Sequence, residues 1–180
     1  MTLMLPASLT QKEARALRKF ERWLRKTMPN QVERLILFGS KARGDARPES
    51  DVDVALVLRE ATPEQRERVT DYTADLLDEA VDLTAIIYDS AELQRQADIG
   101  APLVRNIALE GIPLIGEGIT VGKGKPEEVI RAFLESAHHR LNATRLLIDG
   151  GEWRDAVSRA YYAVLDAADG ALAAIRITPK

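Results

Sequence analysis

The chain has 180 residues, a formal net charge of −3, 46% hydrophobic and 29% charged residues, and no cysteine. That length holds one or two small domains; the acidic balance gives no global electrostatic case for nucleic acid, and the missing thiols exclude disulfides and thiolate metal sites. No run approaches the roughly 20 apolar residues of a membrane span, and the opening Met-Thr-Leu-Met-Leu-Pro is too short and lacks the basic start of a signal peptide, so a cytoplasmic location is expected.

Thr10 to Met28 reads as the first helix. Thr10 and Glu13 form a capping-box pattern, and Ala14, Leu17, Phe20, Leu24 and Met28 recur at helical spacing as a core face. The opposite side carries Arg15, Arg18, Lys19, Arg22, Arg25 and Lys26. A basic face of this kind suits RNA, but in an acidic chain a solvated face is the expectation. Pro29-Asn30 breaks the helix.

The apolar run Val32–Phe38 is the first strand, and it delivers Gly39-Ser40 at its end. Ten residues separate Ser40 from Asp51, and Asp53 leads into a second strand, 52–58. Strand residues two apart share a face, with alpha-carbons about 6.5–7 Å apart, so both carboxylates are expected on one surface of a sheet edge. Thr62 and Pro63 read as N-cap and first position of a helix that runs to about Ala80, with Val69, Tyr72, Leu76, Leu77 and Ala80 on its buried side. A third carboxylate, Asp82, opens the strand 82–88. Strand, crossover helix and strand imply an α/β (α+β) fold: a small mixed sheet flanked by helices.

Carboxylates about 5 Å apart repel by roughly 3 kcal/mol per pair at an effective dielectric near 20, which is unfavourable unless a cation joins them. Magnesium suits such a cluster, because it takes one or two carboxylates and completes its octahedron with substrate phosphates. Two such ions roughly 3.5–4 Å apart stabilise both the attacking and the leaving oxygen of a phosphoryl displacement. Gly39 lets the backbone approach a phosphate, and a chain turning into a helix there aims N–H groups at an anion. The plainer alternative is that Asp51 and Asp53 cap a strand after a Pro-Glu-Ser turn.

Gly-Ser followed at this spacing by Asp-x-Asp resembles the signature of the nucleotidyltransferase superfamily. Phe38-Gly-Ser-Lys-Ala-Arg-Gly44 and Ser50-Asp-Val-Asp53 are similar, more narrowly, to the prokaryotic minimal nucleotidyltransferases, over roughly residues 30–90. The resemblance implies that Asp51 and Asp53 bind two magnesium ions. It implies too that Asp82 ligates one metal and orients the acceptor hydroxyl, and that Gly39 and Ser40 hold a triphosphate, with Lys41 and Arg43 close by. The implied reaction moves a nucleoside monophosphate, with ATP favoured as donor, to a hydroxyl of a protein or of a small compound such as an aminoglycoside.

Beyond Ser90 the pattern is helical: two short helices parted by Gly100, then an edge strand in Gly111–Gly116 that tolerates Pro113. No catalytic residue is expected in residues 90–116. The glycine-rich stretch 116–126 reads as a linker, dividing a domain over 1–118 from a helical segment over 126–180. In 126–148, Val129, Ile130, Phe133, Leu134, Ala137, Leu141 and Ile148 form one stripe. After an Asp149-Gly-Gly-Glu turn, Val157, Ala160, Tyr161, Val164, Leu165, Ala168, Leu172 and Ile175 form the other. An antiparallel pair alone buries too little to stand by itself, so it is expected to pack on the first lobe, a second copy, or residues beyond Lys180.

Trp153-Arg-Asp-Ala-Val-Ser-Arg-Ala-Tyr-Tyr-Ala163 is similar to the helix of HEPN domains, which often accompany minimal nucleotidyltransferases; 126–180 covers about half of such a bundle. In HEPN ribonucleases an arginine precedes a histidine by a short interval; here Asp166 follows Arg159, so ribonuclease activity is not expected. Arg159 reads equally as a residue with a functional role or as pairing with Asp155 or Asp166 along its helix. Glu135 and His139 share a face, but with no third ligand they, and His138, read as solvated surface. In related toxin–antitoxin pairs the partner's tyrosine is adenylylated; Tyr161 and Tyr162 read first as part of a packed face. A second function class follows: an antitoxin-like, nucleotide-binding module whose helical pair engages a HEPN partner or a second copy as a homodimer.

Overall fold

The computed structural model describes residues 5–47, 50–78, 80–122 and 125–177. The chain divides into two compact units, Met1–Ala97 with Leu103–Thr120, and Asp98–Pro102 with Val121–Lys180.

The first unit opens with α1 (Gln11–Thr27), whose capping box forms as the sequence predicts: Glu13 N–H donates to Thr10 Oγ1 and Thr10 N–H to the Glu13 carboxylate. Then come β1 (Val32–Phe38), α2 (Gly39–Arg43), β2 (Val52–Leu58), α3 (Pro63–Asp78), β3 (Leu83–Asp89), α4 (Ser90–Asp98), α5 (Pro102–Glu110) and β4 (Ile112–Ile115). The four strands form one mixed sheet in the order β3-β2-β1-β4. β1 runs antiparallel to β2 and β4, while β2 and β3 are parallel because α3 crosses between them.

Alternation along the strands gives the sheet two buried faces. Leu35 and Leu37 of β1 and Val54, Leu56 and Leu58 of β2 meet Leu17, Phe20 and Leu24 of α1 and Val69 and Leu76 of α3. Trp23 and Tyr72 stack there with centroids 4.3 Å apart. Ile36, Ala55 and Val57 occupy the other face and are also buried. The end of α5 lies close to that face: a Cβ placed on Gly111 would stand 2.6 Å from Ile36 Cγ2.

The end of α3 departs from the sequence expectation. Leu77 is exposed, and Ala80 is exposed with φ +52°. The helix closes by Ala80 N–H donating to Leu77 O and Val81 N–H to Leu76 O, which turns the chain before the predicted buried side is complete.

The second unit contains the antiparallel pair α6 (Pro126–Asp149) and α7 (Trp153–Ile177). The stripe read on α7 is largely exposed among the described residues. Val157, Tyr161 and Val164 are exposed by 60–70%, and Leu165 and Ala168 are exposed as well. Among the described residues of α7 the buried positions are instead small: Ala156, Ala163 and Gly170. They leave room for Phe133, Ala137 and Thr144 of α6, and a Cβ on Gly170 would come within 3.0 Å of Phe133. Leu134, Leu141 and Ile148 of the predicted α6 stripe are likewise exposed. The side chains of Leu172, Ile175, Tyr162 and Asp155 lie outside the described ones. Asp166 accepts from Ser136 Oγ at 2.6 Å and Arg140 Nε at 2.8 Å, so its charge is met from α6 and not, as the spacing suggested, by Arg159.

Candidate active site

Strand register assembles this site. Phe38, the last residue of β1, pairs with Asp53, and Asp53 pairs on its other side with Thr84 of β3. Val52 N–H donates to Asp82 O at 2.8 Å. The turn after β1, the start of β2 and the residue before β3 therefore meet at one end of the sheet. At Gly39 the backbone adopts φ +73°, and a Cβ there would lie 2.5 Å from Asp53 Oδ2. Both the left-handed φ and the carboxylate require glycine at this position.

Asp53 is partly buried, while Asp51 is half-buried and Asp82 exposed. Burial, then the neighbouring charges of Asp51 and Asp82, push the Asp53 carboxyl up to about 6; Glu110 adds to the rise and Arg43 opposes it. The sequence-predicted acids thus share one electrostatic environment. All their donors are hard oxygens, the ligand type of magnesium. Among the described residues no three acidic or histidine side chains close into a cage of their own. That is compatible with an ion that takes one or two carboxylates and fills its remaining positions with phosphate oxygens and water.

The residues around the glycine divide in two. Arg43 is exposed on α2, and its Nη1 donates to Glu110 Oε2 at 2.9 Å and its Nε to Asp45 Oδ2 at 3.2 Å. Lys41, expected beside the triphosphate, is 3% exposed, with Nζ 2.8 Å from Glu13 Oε1. Ser8 Oγ donates to the Lys41 carbonyl, so this lysine fastens α2 to the start of α1. Ser40 is half-buried, and its carbonyl accepts from Gly44 N–H at 2.9 Å.

Glu110 was not foreseen. It ends α5, inside the stretch where no site residue was expected, and its Oε1 accepts from Gly39 N–H at 3.2 Å. Nothing local in Leu-Glu-Gly marks it, because Gly39 and Glu110 are 71 positions apart and meet only through the long-range fold.

Residues 21–107 match the family described as Polymerase beta, Nucleotidyltransferase. This segment is a nucleotidyltransferase domain. It holds every site residue named above except Ser8, Glu13 and Glu110. A Methanocaldococcus jannaschii protein named "Putative toxin MJ0605" is 40% identical over 53 residues, which span 29% of this chain and 40% of that protein. Among solved structures, a toxin–antitoxin with AMP-PNP is 18% identical with a TM-score of 0.42, over 79% of this chain and 99% of that one. Spectinomycin adenyltransferase AAD(9) from Enterococcus faecialis, with ATP and spectinomycin, is 17% identical with a TM-score of 0.48, over 71% of this chain and 67% of that one. Outside the nucleotidyltransferase domain, α6 and α7 are helical as expected, and no helix among the described residues is long and apolar enough to cross a membrane.

Proposed function

We propose that the nucleotidyltransferase domain moves a nucleoside monophosphate, AMP from ATP, to a hydroxyl of a protein or small-molecule acceptor. The observation that carries this reading is the register that sets Gly39 against Asp53, with Asp51 and Asp82 near enough to raise its pKa. Asp51 and Asp53 would hold magnesium, which when bound with the triphosphate supplies charge stabilisation to the phosphoryl oxygens. Asp82 orients the acceptor hydroxyl, Gly39 and Ser40 approach the triphosphate, and Arg43 meets its charge. The acceptor hydroxyl gives up its proton to solvent as its oxygen forms the new bond to the α-phosphorus, the α–β phosphoanhydride bond breaks, and pyrophosphate leaves. Positioning and charge, with little covalent participation by the protein, account for the rate. The burial of Lys41 favours a structural role for it and leaves Arg43 as the cation available to phosphates.

Incubation with each α-labelled nucleoside triphosphate, magnesium and a cell lysate tests the proposal. Label is expected on one acceptor, with ATP as best donor, and is lost in Asp51→Asn and Asp53→Asn. Absence of label from every donor with the wild-type chain contradicts it.

A second reading is favoured by the apolar residues that α6 and α7 leave exposed, Leu134, Leu146, Val157, Tyr161 and Val164. It makes the chain an antitoxin-like module that binds a HEPN partner or a second copy through these helices, with nucleotide binding regulatory. Partner binding that survives both aspartate substitutions, with no label transferred, supports it over the first.

A further inference from the structure

Glu110 carries an inference that rests on the reading just given. Its carboxylate uses one oxygen on Gly39 N–H, at 3.2 Å, and the other on Arg43 Nη1, at 2.9 Å. Its side chain is only 20% exposed, and its contact with Gly39 is part-buried while that with the 44%-exposed Arg43 is open to solvent. These two donors are a backbone amide at the Gly-Ser turn and the guanidinium left to meet a triphosphate. A carboxylate and a phosphate oxygen want the same things from them: an N–H to accept from and a positive charge. An amide carries one proton and cannot serve two acceptors well. Asp45 also bonds Arg43, at 3.2 Å, but through Nε and without touching Gly39.

We propose that Glu110 determines nucleotide affinity by occupying, in the nucleotide-free protein, the amide and guanidinium that the triphosphate tail takes on binding. The triphosphate then displaces an internal anion and does not enter an open seat. The same acid stands near Asp53, on the face of the sheet covered by the end of α5, so its departure from Arg43 accompanies binding at the carboxylate cluster.

The test uses the full chain and two probes, the α,β-methylene analogue of ATP and inorganic tripolyphosphate, each with magnesium and measured by calorimetry. Glu110→Gln keeps the shape and removes the charge. A charge-assisted hydrogen bond exchanged for a neutral one should lower Kd by about tenfold. Both probes should gain equally, since the contact concerns the phosphate tail alone. Asp45→Asn, which relieves the same guanidinium but not the Gly39 amide, should gain less than about a third of that factor. Should Glu110→Gln melt early, Glu110→Ala read below its melting temperature serves in its place. Unchanged or weaker binding in the Glu110 variants overturns the inference and makes the residue a strut. An equal gain in Asp45→Asn overturns it too, because any nearby negative charge would then do. If the wild-type chain and all variants bind neither probe, the nucleotidyltransferase reading itself fails, and this inference with it.

Discussion

At the scale of single residues, Asp53 is where fold and chemistry conflict. A carboxylate held near 6 by burial and by Asp51 and Asp82 is costly when charged and metal-free. Its folded pKa lies above its ordinary 3.8, so the folded chain binds the extra proton between those values. Stability of the metal-free protein therefore rises as pH falls from 7 through about 6 and towards 3.8. Solvent screening of this half-open site limits the gain to about 1 kcal/mol, or a few degrees of Tm. Asp53→Asn should be steadier than wild type at pH 7 and lose this dependence, as thermal melts in chelator would show. A wild-type melt flat from pH 7 to 5 contradicts this account of the cluster. Glu13 works in the opposite sense. Burial pushes it up, but the bonds to Lys41 and Thr10 outweigh that and leave its carboxyl below the ordinary 4.5. Its stabilisation is complete above 4.5 and is lost as pH falls through its lowered value, so the stability curve should turn down in more acid solution. The meeting of Asp51, Asp53 and Gly39 at one end of the sheet was legible in the sequence because it is set by spacing along adjoining strands. Lys41 and Glu110 were not, because burial of the first depends on Glu13 and the placing of the second on α5, and neither partner is near in sequence.

At the scale of elements, local signals served well wherever a cap or a break decided the outcome. Thr10 with Glu13 starts α1, and Thr62 with Gln65 starts α3 through the same reciprocal bonds. The end of α3 shows what such signals leave out. Its 6→1 and 5→2 bonds are those of a Schellman cap, and Leu76 and Val81 both join the core there. The left-handed position of that cap usually belongs to glycine, yet here it is Ala80 at φ +52°. Reading the stretch as a continuing helix was natural, since alanine is the best helix former. Ala80→Gly should accordingly raise stability, by about 1 kcal/mol, with no effect on nucleotide binding. Denaturant melts test this, and a lower midpoint with unchanged slope would count against the cap. The packing side of α7 could not be read from the sequence for another reason. The helix is apolar on both sides, so periodicity could not tell which side meets α6. The small-residue side wins because it lets the two backbones approach, while Ser136, Arg140 and Asp166 fix the pairing with charge-assisted hydrogen bonds.

At the scale of the whole molecule, the chain forms two compact units with different surfaces. The four-stranded sheet with a helix layer on its principal core brings a glycine turn and three acids to one end. The helical unit presents exposed apolar side chains suited to another helix. The Gly-Ser and Asp-x-Asp spacing predicted that these residues meet at one end of the sheet. The central claim is that Gly39, Asp51 and Asp53 make one metal–triphosphate site. Electron paramagnetic resonance of free Mn²⁺, titrated into the full chain with the α,β-methylene analogue of ATP, tests it without relying on turnover. The wild-type chain should withdraw Mn²⁺ from solution in the presence of the nucleotide, with Asp51→Asn and Asp53→Asn each weakening that uptake about tenfold or more. Equal uptake by the wild type and both variants would contradict the account.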